Sequence, residues 1–145
     1  MKELRKYMCV DYGEKRVGIA VSDLTGTLAV GSAMLQVRGM RDAAVQAAEF
    51  AGERGVACIV VGMPVNMNGT YGGSAEKVRA FADMLRELSD AEVVFFDERC
   101  STKYAHQMLN ISDVSAKKRA GAVDMLSAQI VLQNFLDARK SEVTD

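Results

Sequence analysis

The stretch Tyr7-Met8-Cys9-Val10-Asp11-Tyr12-Gly13-Glu14-Lys15-Arg16-Val17-Gly18-Ile19-Ala20-Val21 holds two apolar runs separated by a polar turn. Tyr7 to Val10 is a short strand that ends at Asp11. Tyr12 to Lys15 turns the chain, and Val17 to Val21 returns it as a second strand, so the pair reads as a β-hairpin. Asp11 therefore stands where a strand meets a turn. Gly13, two residues on, lets backbone or a ligand approach closely.

Outward from the hairpin, Thr25-Gly26 marks the next turn, and a third strand lies between Leu28 and Val37. Ala44, Ala47, Ala48 and Ala51 recur at helical spacing, predicting a helix from about Arg41 to Arg54 that Gly55 stops. Cys58-Ile59-Val60-Val61 is a bare apolar run, the mark of a strand buried on both faces. The loop from Gly62 to Thr70 contains the only proline, Pro64. Ser74 is placed to cap a second helix whose stripe is Val78, Phe81, Ala82 and Leu85. Glu92 to Phe96 is the last strand. A short helix over about Thr102 to Leu109, a basic loop from Asn110 to Arg119 and a final helix from about Ala122 to Ala138 complete the reading.

Hairpin turns make the first three strands antiparallel, and strand-helix-strand units add the last two in parallel. The expected fold class is α/β, a five-stranded mixed sheet with helices on both faces. It forms one domain over residues 1–145, large enough to bury a core unaided. No apolar run reaches the length of a membrane span, and the charged start from Met1 to Lys6 is not a signal-peptide core. These features predict a cytoplasmic protein without a membrane partner, a monomer or a homodimer. Cys9, Cys58 and Cys100 show no metal-binding spacing and are expected to be reduced thiols. Carboxylates beside Cys100 disfavour its thiolate.

Three acids stand out. Asp11 sits at the carboxyl end of the first strand and Glu98 just beyond the last, which puts both at one edge of a parallel arrangement, where α/β sheets bind ligands. Asp124 opens the last helix on the face of Ala128, Val131 and Phe135. Three oxygen-bearing acids without a competing His/Cys set suit Mg²⁺ or Mn²⁺. A pair of such ions supports phosphodiester cleavage. Each acid also has an ordinary reading: Asp11 as a turn residue, Glu98 paired with Arg99 or Lys103, and Asp124 as a helix-start acid. The net charge of -1 argues against a protein that coats nucleic acid by charge alone, but not against a local basic site.

At these residues the sequence resembles the YqgF, or RuvX-like, family of Holliday junction resolvases and pre-16S rRNA nucleases. The resemblance rests on Asp11-Tyr12-Gly13-Glu14-Lys15-Arg16-Val17-Gly18-Ile19-Ala20-Val21-Ser22-Asp23, on Val61-Gly62-Met63-Pro64 with Asn66-Met67-Asn68-Gly69-Thr70, on Asp97-Glu98-Arg99, and on Lys118-Arg119 with Val123-Asp124. It implies a ribonuclease H-like fold and an acidic triad on Asp11, Glu98 and Asp124. The implied activity is metal-dependent cutting of nucleic acid, either branched DNA or the 5′ end of precursor 16S rRNA. The chain departs from the family at Cys100-Ser101-Thr102 and at Ser127, where alanine is usual.

Lys15 and Arg16 follow the turn and are candidates for flanking phosphates. Asn66, Asn68 and Thr70 share the same sheet edge, and Arg99, Lys118 and Arg119 complete the candidate substrate contacts. Asp97 is placed to orient a ligand, and His106, the sole histidine, reads as a surface residue. Two other functions fit parts of the pattern. One is a single-domain ATP-binding protein of the actin and sugar-kinase type, whose phosphate hairpin resembles Asp11-Tyr12-Gly13. The other is a catalytically inactive nucleic-acid binding module.

Overall fold

The computed structural model describes residues 5–63, 73–97 and 116–143, with side chains at 5–63, 75–96 and 125–139. Its strands are β1 (Tyr7–Asp11), β2 (Arg16–Ser22), β3 (Ala29–Gln36), β4 (Cys58–Met63) and β5 (Glu92–Asp97). Its helices are α1 (Met40–Glu53), α2 (Gly73–Leu88) and α3 (Ala116–Val143). The sheet order is β3-β2-β1-β4-β5. β1 pairs antiparallel with β2, and β2 with β3. β4 pairs in parallel with both β1 and β5. This is the expected mixed sheet of five strands.

Alternation along the strands builds two cores. Met8, Val10, Val17, Ile19, Ile59 and Val61 face α1 and α2. Tyr7, Cys9, Ala20, Cys58 and Val60 face α3. β1 and β4 are buried on both faces, which is why they read as unbroken apolar runs. The small Ala43, Ala44, Ala47 and Ala51 let α1 sit close to its neighbours, and α2 contributes the predicted Val78, Phe81, Ala82 and Leu85. Gly55 follows α1 with a φ of 66°, a left-handed stop. Cys9 and Cys58 are buried and form no disulfide, and burial, reinforced by Glu92, pushes the Cys58 thiol up to about 11.

α3 packs on the sheet face opposite α1 and α2 and covers the sheet edge at β3. Gln129 Oε1 accepts the Gly31 N–H at 3.1 Å, and Gln133 Oε1 accepts the Ala29 N–H at 2.9 Å. Gln133 Nε2 donates to the Thr27 carbonyl at 3.0 Å. These side chains satisfy backbone groups on the outer side of β3 and of the turn before it.

Two expectations are corrected. The final helix begins at Ala116, not Ala122, and continues to Val143. Lys118 and Arg119 are therefore helical and not part of a loop. Ala116-Lys117-Lys118-Arg119-Ala120 is a run of strong helix formers, and the lone Gly121 does not break it. Asp124 is consequently well inside α3 and does not open it, so the field of a helix N-terminus does not act on it. Second, α2 starts at Gly73, so Ser74 lies in the helix and does not precede it as a cap. The short helix expected over about Thr102 to Leu109 lies outside the described residues.

Candidate active site at the carboxyl edge of the sheet

β1, β4 and β5 run in the same direction, so their carboxyl ends share one edge. Register fixes the levels: Val10 lies beside Val61, Val61 beside Phe95, and Met63 beside Asp97. Asp11 closes β1, and Asp97 closes β5 at this edge. By alternation Asp11 belongs to the face of Tyr7 and Cys9, the face that packs on α3. It is half-buried.

The direction of α3 brings its amino-terminal part to the same edge. From Gln129 to Gln133 the helix passes from Gly31 back to Ala29, so it runs antiparallel to β3. β3 is parallel to β1 through two antiparallel pairings, so α3 is antiparallel to β1 as well. Phe135 packs on Tyr7 at the start of β1, with ring centroids 5.8 Å apart. From Phe135 back to Asp124 the helix climbs about 16 Å at 1.5 Å per residue, while β1 rises about 13 Å from Tyr7 to Asp11. The backbone of Asp124 thus reaches the level of Asp11.

The turn after Asp11 is held from two sides. A Cβ on Gly13 would collide with the Arg16 carbonyl oxygen, so this turn closes only with glycine. The Tyr12 ring stacks on Phe81 of α2 at 4.6 Å and 28°. Burial raises the Tyr12 phenol above its ordinary value, and the Glu14 charge adds to this. Glu14 pairs with Lys77 of α2; that hydrogen-bonded pairing lowers the Glu14 carboxyl and raises the Lys77 ammonium.

Lys15 and Arg16 lie at the start of β2, which is the same edge, and both are exposed. With Gln36, Val37 and Arg38 they line an open groove. Arg38 was not singled out by sequence reasoning, because it lies beyond the third strand and far from any acid in the chain. The signal was available only in strand order, which sets the exit of β3 beside the entry of β2. Glu98, Arg99, Asn66, Asn68, Thr70, Cys100 and His106 lie outside the described residues, as do the side chains of Asp97, Lys118, Arg119 and Asp124. Among the described residues, no three His, Cys, Asp or Glu side chains are grouped to hold a metal. Ser127, one of the departures, is buried in the α3 packing.

A mixed sheet in this order, with an acid closing its central strand and helices on both faces, defines the ribonuclease H-like class. Solved structures share it: RuvC of T. thermophilus in complex with Holliday junction substrate superposes with a TM-score of 0.58 at 13% identity, covering 94% of this chain and 96% of that one. The fowlpox virus resolvase with substrate Holliday junction DNA gives 0.55 at 10% identity, over 92% and 97%. The RuvX family model, described as Holliday junction resolvase, matches residues 5–138, and the chain belongs to that family. Relatives named as pre-16S rRNA nucleases include one from Endomicrobium trichonymphae, 40% identical over 96% of this chain and 100% of its own. Another, from Symbiobacterium thermophilum, is 42% identical over 90% of each chain.

Proposed function

We propose that this protein is a hydrolase that cuts nucleic-acid phosphodiesters at the carboxyl edge of the sheet, with Asp11, Glu98 and Asp124 as its catalytic acids. The observation that carries this reading is a convergence of backbone elements. The ends of β1 and β5 and the amino-terminal part of α3, each bearing or adjoining one of those acids, meet at one edge. Glu98 follows Asp97, the last residue of β5, directly in the chain. The donor set is all oxygen, which fits a hard divalent ion such as Mg²⁺ or Mn²⁺. When bound, such an ion supplies Lewis acidity at the phosphodiester. The chain's own cations, Lys15 and Arg16, flank Asp11 and hold the phosphate backbone against an otherwise acidic centre.

The names carried by relatives of similar length support precursor 16S rRNA as the substrate, and a substrate of that kind implies the cytoplasm as the place of action. The test is incubation of the purified chain with end-labelled precursor 16S rRNA and with a four-way DNA junction, in Mg²⁺, in Mn²⁺ and in excess EDTA. Metal-dependent shortening of the rRNA 5′ end supports the reading. Cutting of the junction alone moves the substrate to branched DNA. Full activity in EDTA removes the metal from the proposal.

A further inference from the structure

The groove between the entry of β2 and the exit of β3 lies at the active edge but off its acidic centre. Its walls are Lys15 and Arg16 on one side and Gln36, Val37 and Arg38 on the other, around a volume of about 510 Å³. The lining offers three cations and one amide, and neither an aromatic ring nor a carboxylate. Such a surface suits the charged backbone of a strand and has nothing on which a base could stack.

The groove is built by hydrogen bonds that fix its walls. The Val37 N–H donates to the Lys15 carbonyl at 3.0 Å and so joins the two walls. Gln46 Nε2 donates to the Gln36 carbonyl at 3.1 Å and to Asp42 Oδ2 at 3.0 Å. The Arg38 N–H donates to the same Asp42 oxygen at 2.9 Å. Asp42, the nearest acid in the chain, is thus occupied by backbone and amide donors. Among the described residues no carboxylate pairs with the Arg38 guanidinium, which is exposed.

We infer that this groove is a second phosphate site, in which Arg38, with Lys15 and Arg16, holds a single nucleic-acid strand away from the bond that is cut. β3 lies two strand spacings from β1, so the Arg38 wall of the groove is displaced sideways about 10 Å from β1, beyond the phosphate at the cut itself. The site rests on the nuclease reading for its orientation toward a scissile bond, but its affinity for a phosphate backbone does not depend on cleavage. Because it reads backbone and not base, it gives reach and register without sequence preference.

The test is a phosphate walk. Labelled DNA and RNA strands, each with one phosphate replaced by an uncharged methylphosphonate, are titrated with the full chain in EDTA and followed by fluorescence anisotropy. The cut position is mapped separately in Mg²⁺ or Mn²⁺. In the wild type, neutralising one particular phosphate to one side of the cut should weaken binding three- to tenfold. In Arg38→Ala that position should become silent, and the slope of log affinity against log salt should fall by about 0.7 on a single strand. Arg38→Lys should keep the slope. Arg54→Ala removes the same charge at the end of α1, on the opposite sheet edge, and should leave both readouts at wild-type values. If Arg38→Ala matches Arg54→Ala in slope, or if no phosphate becomes silent, the groove is not a strand site. If no strand is cut but one phosphate still matters in the wild type and becomes silent in Arg38→Ala, the nuclease reading fails and the groove stands. A response on RNA but not DNA, or the reverse, identifies which strand the site takes.

Discussion

Tyr12 and Phe81 stack with their ring centroids 4.6 Å apart, and through this contact α2 holds the turn that begins one residue earlier at Asp11. Phe81 is fully buried, so the ring it offers is fixed in place. A stacked pair of this kind contributes about 1 kcal/mol beyond its buried area. Tyr12→Phe keeps the stack and should keep both stability and cleavage. Tyr12→Ala should lower stability by a few kcal/mol at most and lower kcat by about tenfold or more, because small misplacements of a reacting group are costly. Steady-state kinetics beside thermal melts check this; a Tyr12→Ala enzyme that cuts at the wild-type rate removes the positioning role.

Gln133 satisfies two backbone groups of the outer strand region at once, the Ala29 N–H and the Thr27 carbonyl. Replacing it with Leu fills the space but leaves a partly buried donor and acceptor without partners. The expected loss is about 1–3 kcal/mol. Denaturant unfolding measures it, and amide exchange should report faster opening at Ala29 while β1 stays protected. Unchanged stability would mean that water replaces the glutamine at no cost.

Most of the sheet was legible because hydrophobic periodicity and burial agree along it. Cys58-Ile59-Val60-Val61 is apolar on both parities because helices cover both faces, and Asp11 is conspicuous because it interrupts such a run. The start of α3 is not legible in the sequence because Lys117-Lys118-Arg119 is polar all round, and polarity without periodicity reads as loop even where intrinsic propensity favours helix. Arg38 was invisible for a different reason. Its place beside Lys15 comes from the pairing of β2 with β3, in which Arg16 lies opposite Gln36, and no local pattern encodes that pairing. The turn glycine Gly13 could be found in sequence, but the collision that requires it, with the Arg16 carbonyl, is a tertiary fact.

Asp23 organises the β2–β3 connection. Its carboxylate accepts the Thr27 N–H at 2.9 Å, the Thr25 hydroxyl at 2.7 Å and the Leu28 N–H at 3.3 Å. The Thr27 backbone bond, then the Thr25 bond, holds the carboxyl below its usual range. A lowered native pKa means the ionised form is favoured by folding, so this stability is complete above the unfolded value of about 3.9 and is lost as pH falls through the lower native value. Asp23→Asn should therefore melt below wild type at pH 7, and the gap should narrow as pH drops under about 4. Parallel melts from pH 7 to pH 2.5 test it; a gap that stays constant would show that the charge contributes nothing.

The last prediction concerns Asp124, which the long α3 carries to the level of Asp11 without placing it at a helix start. A helix-start acid would stabilise the fold by capping, and its loss would lower the melting temperature. An acid within the helix has no unpaired N–H groups after it to cap, because carbonyls of the preceding turn accept them. Asp124→Asn keeps size and removes charge. Without metal the variant should melt no lower than wild type. With Mg²⁺ at about 100 times its dissociation constant, wild type should gain about 2.7 kcal/mol by linkage, and the variant should gain clearly less. Cleavage of precursor rRNA by the variant should fall to background. Melts with and without Mg²⁺, read beside cleavage rates per folded molecule, separate the outcomes: a variant that melts several degrees lower in EDTA yet still cuts would make Asp124 a structural residue and leave the third ligand to be found elsewhere at the same edge.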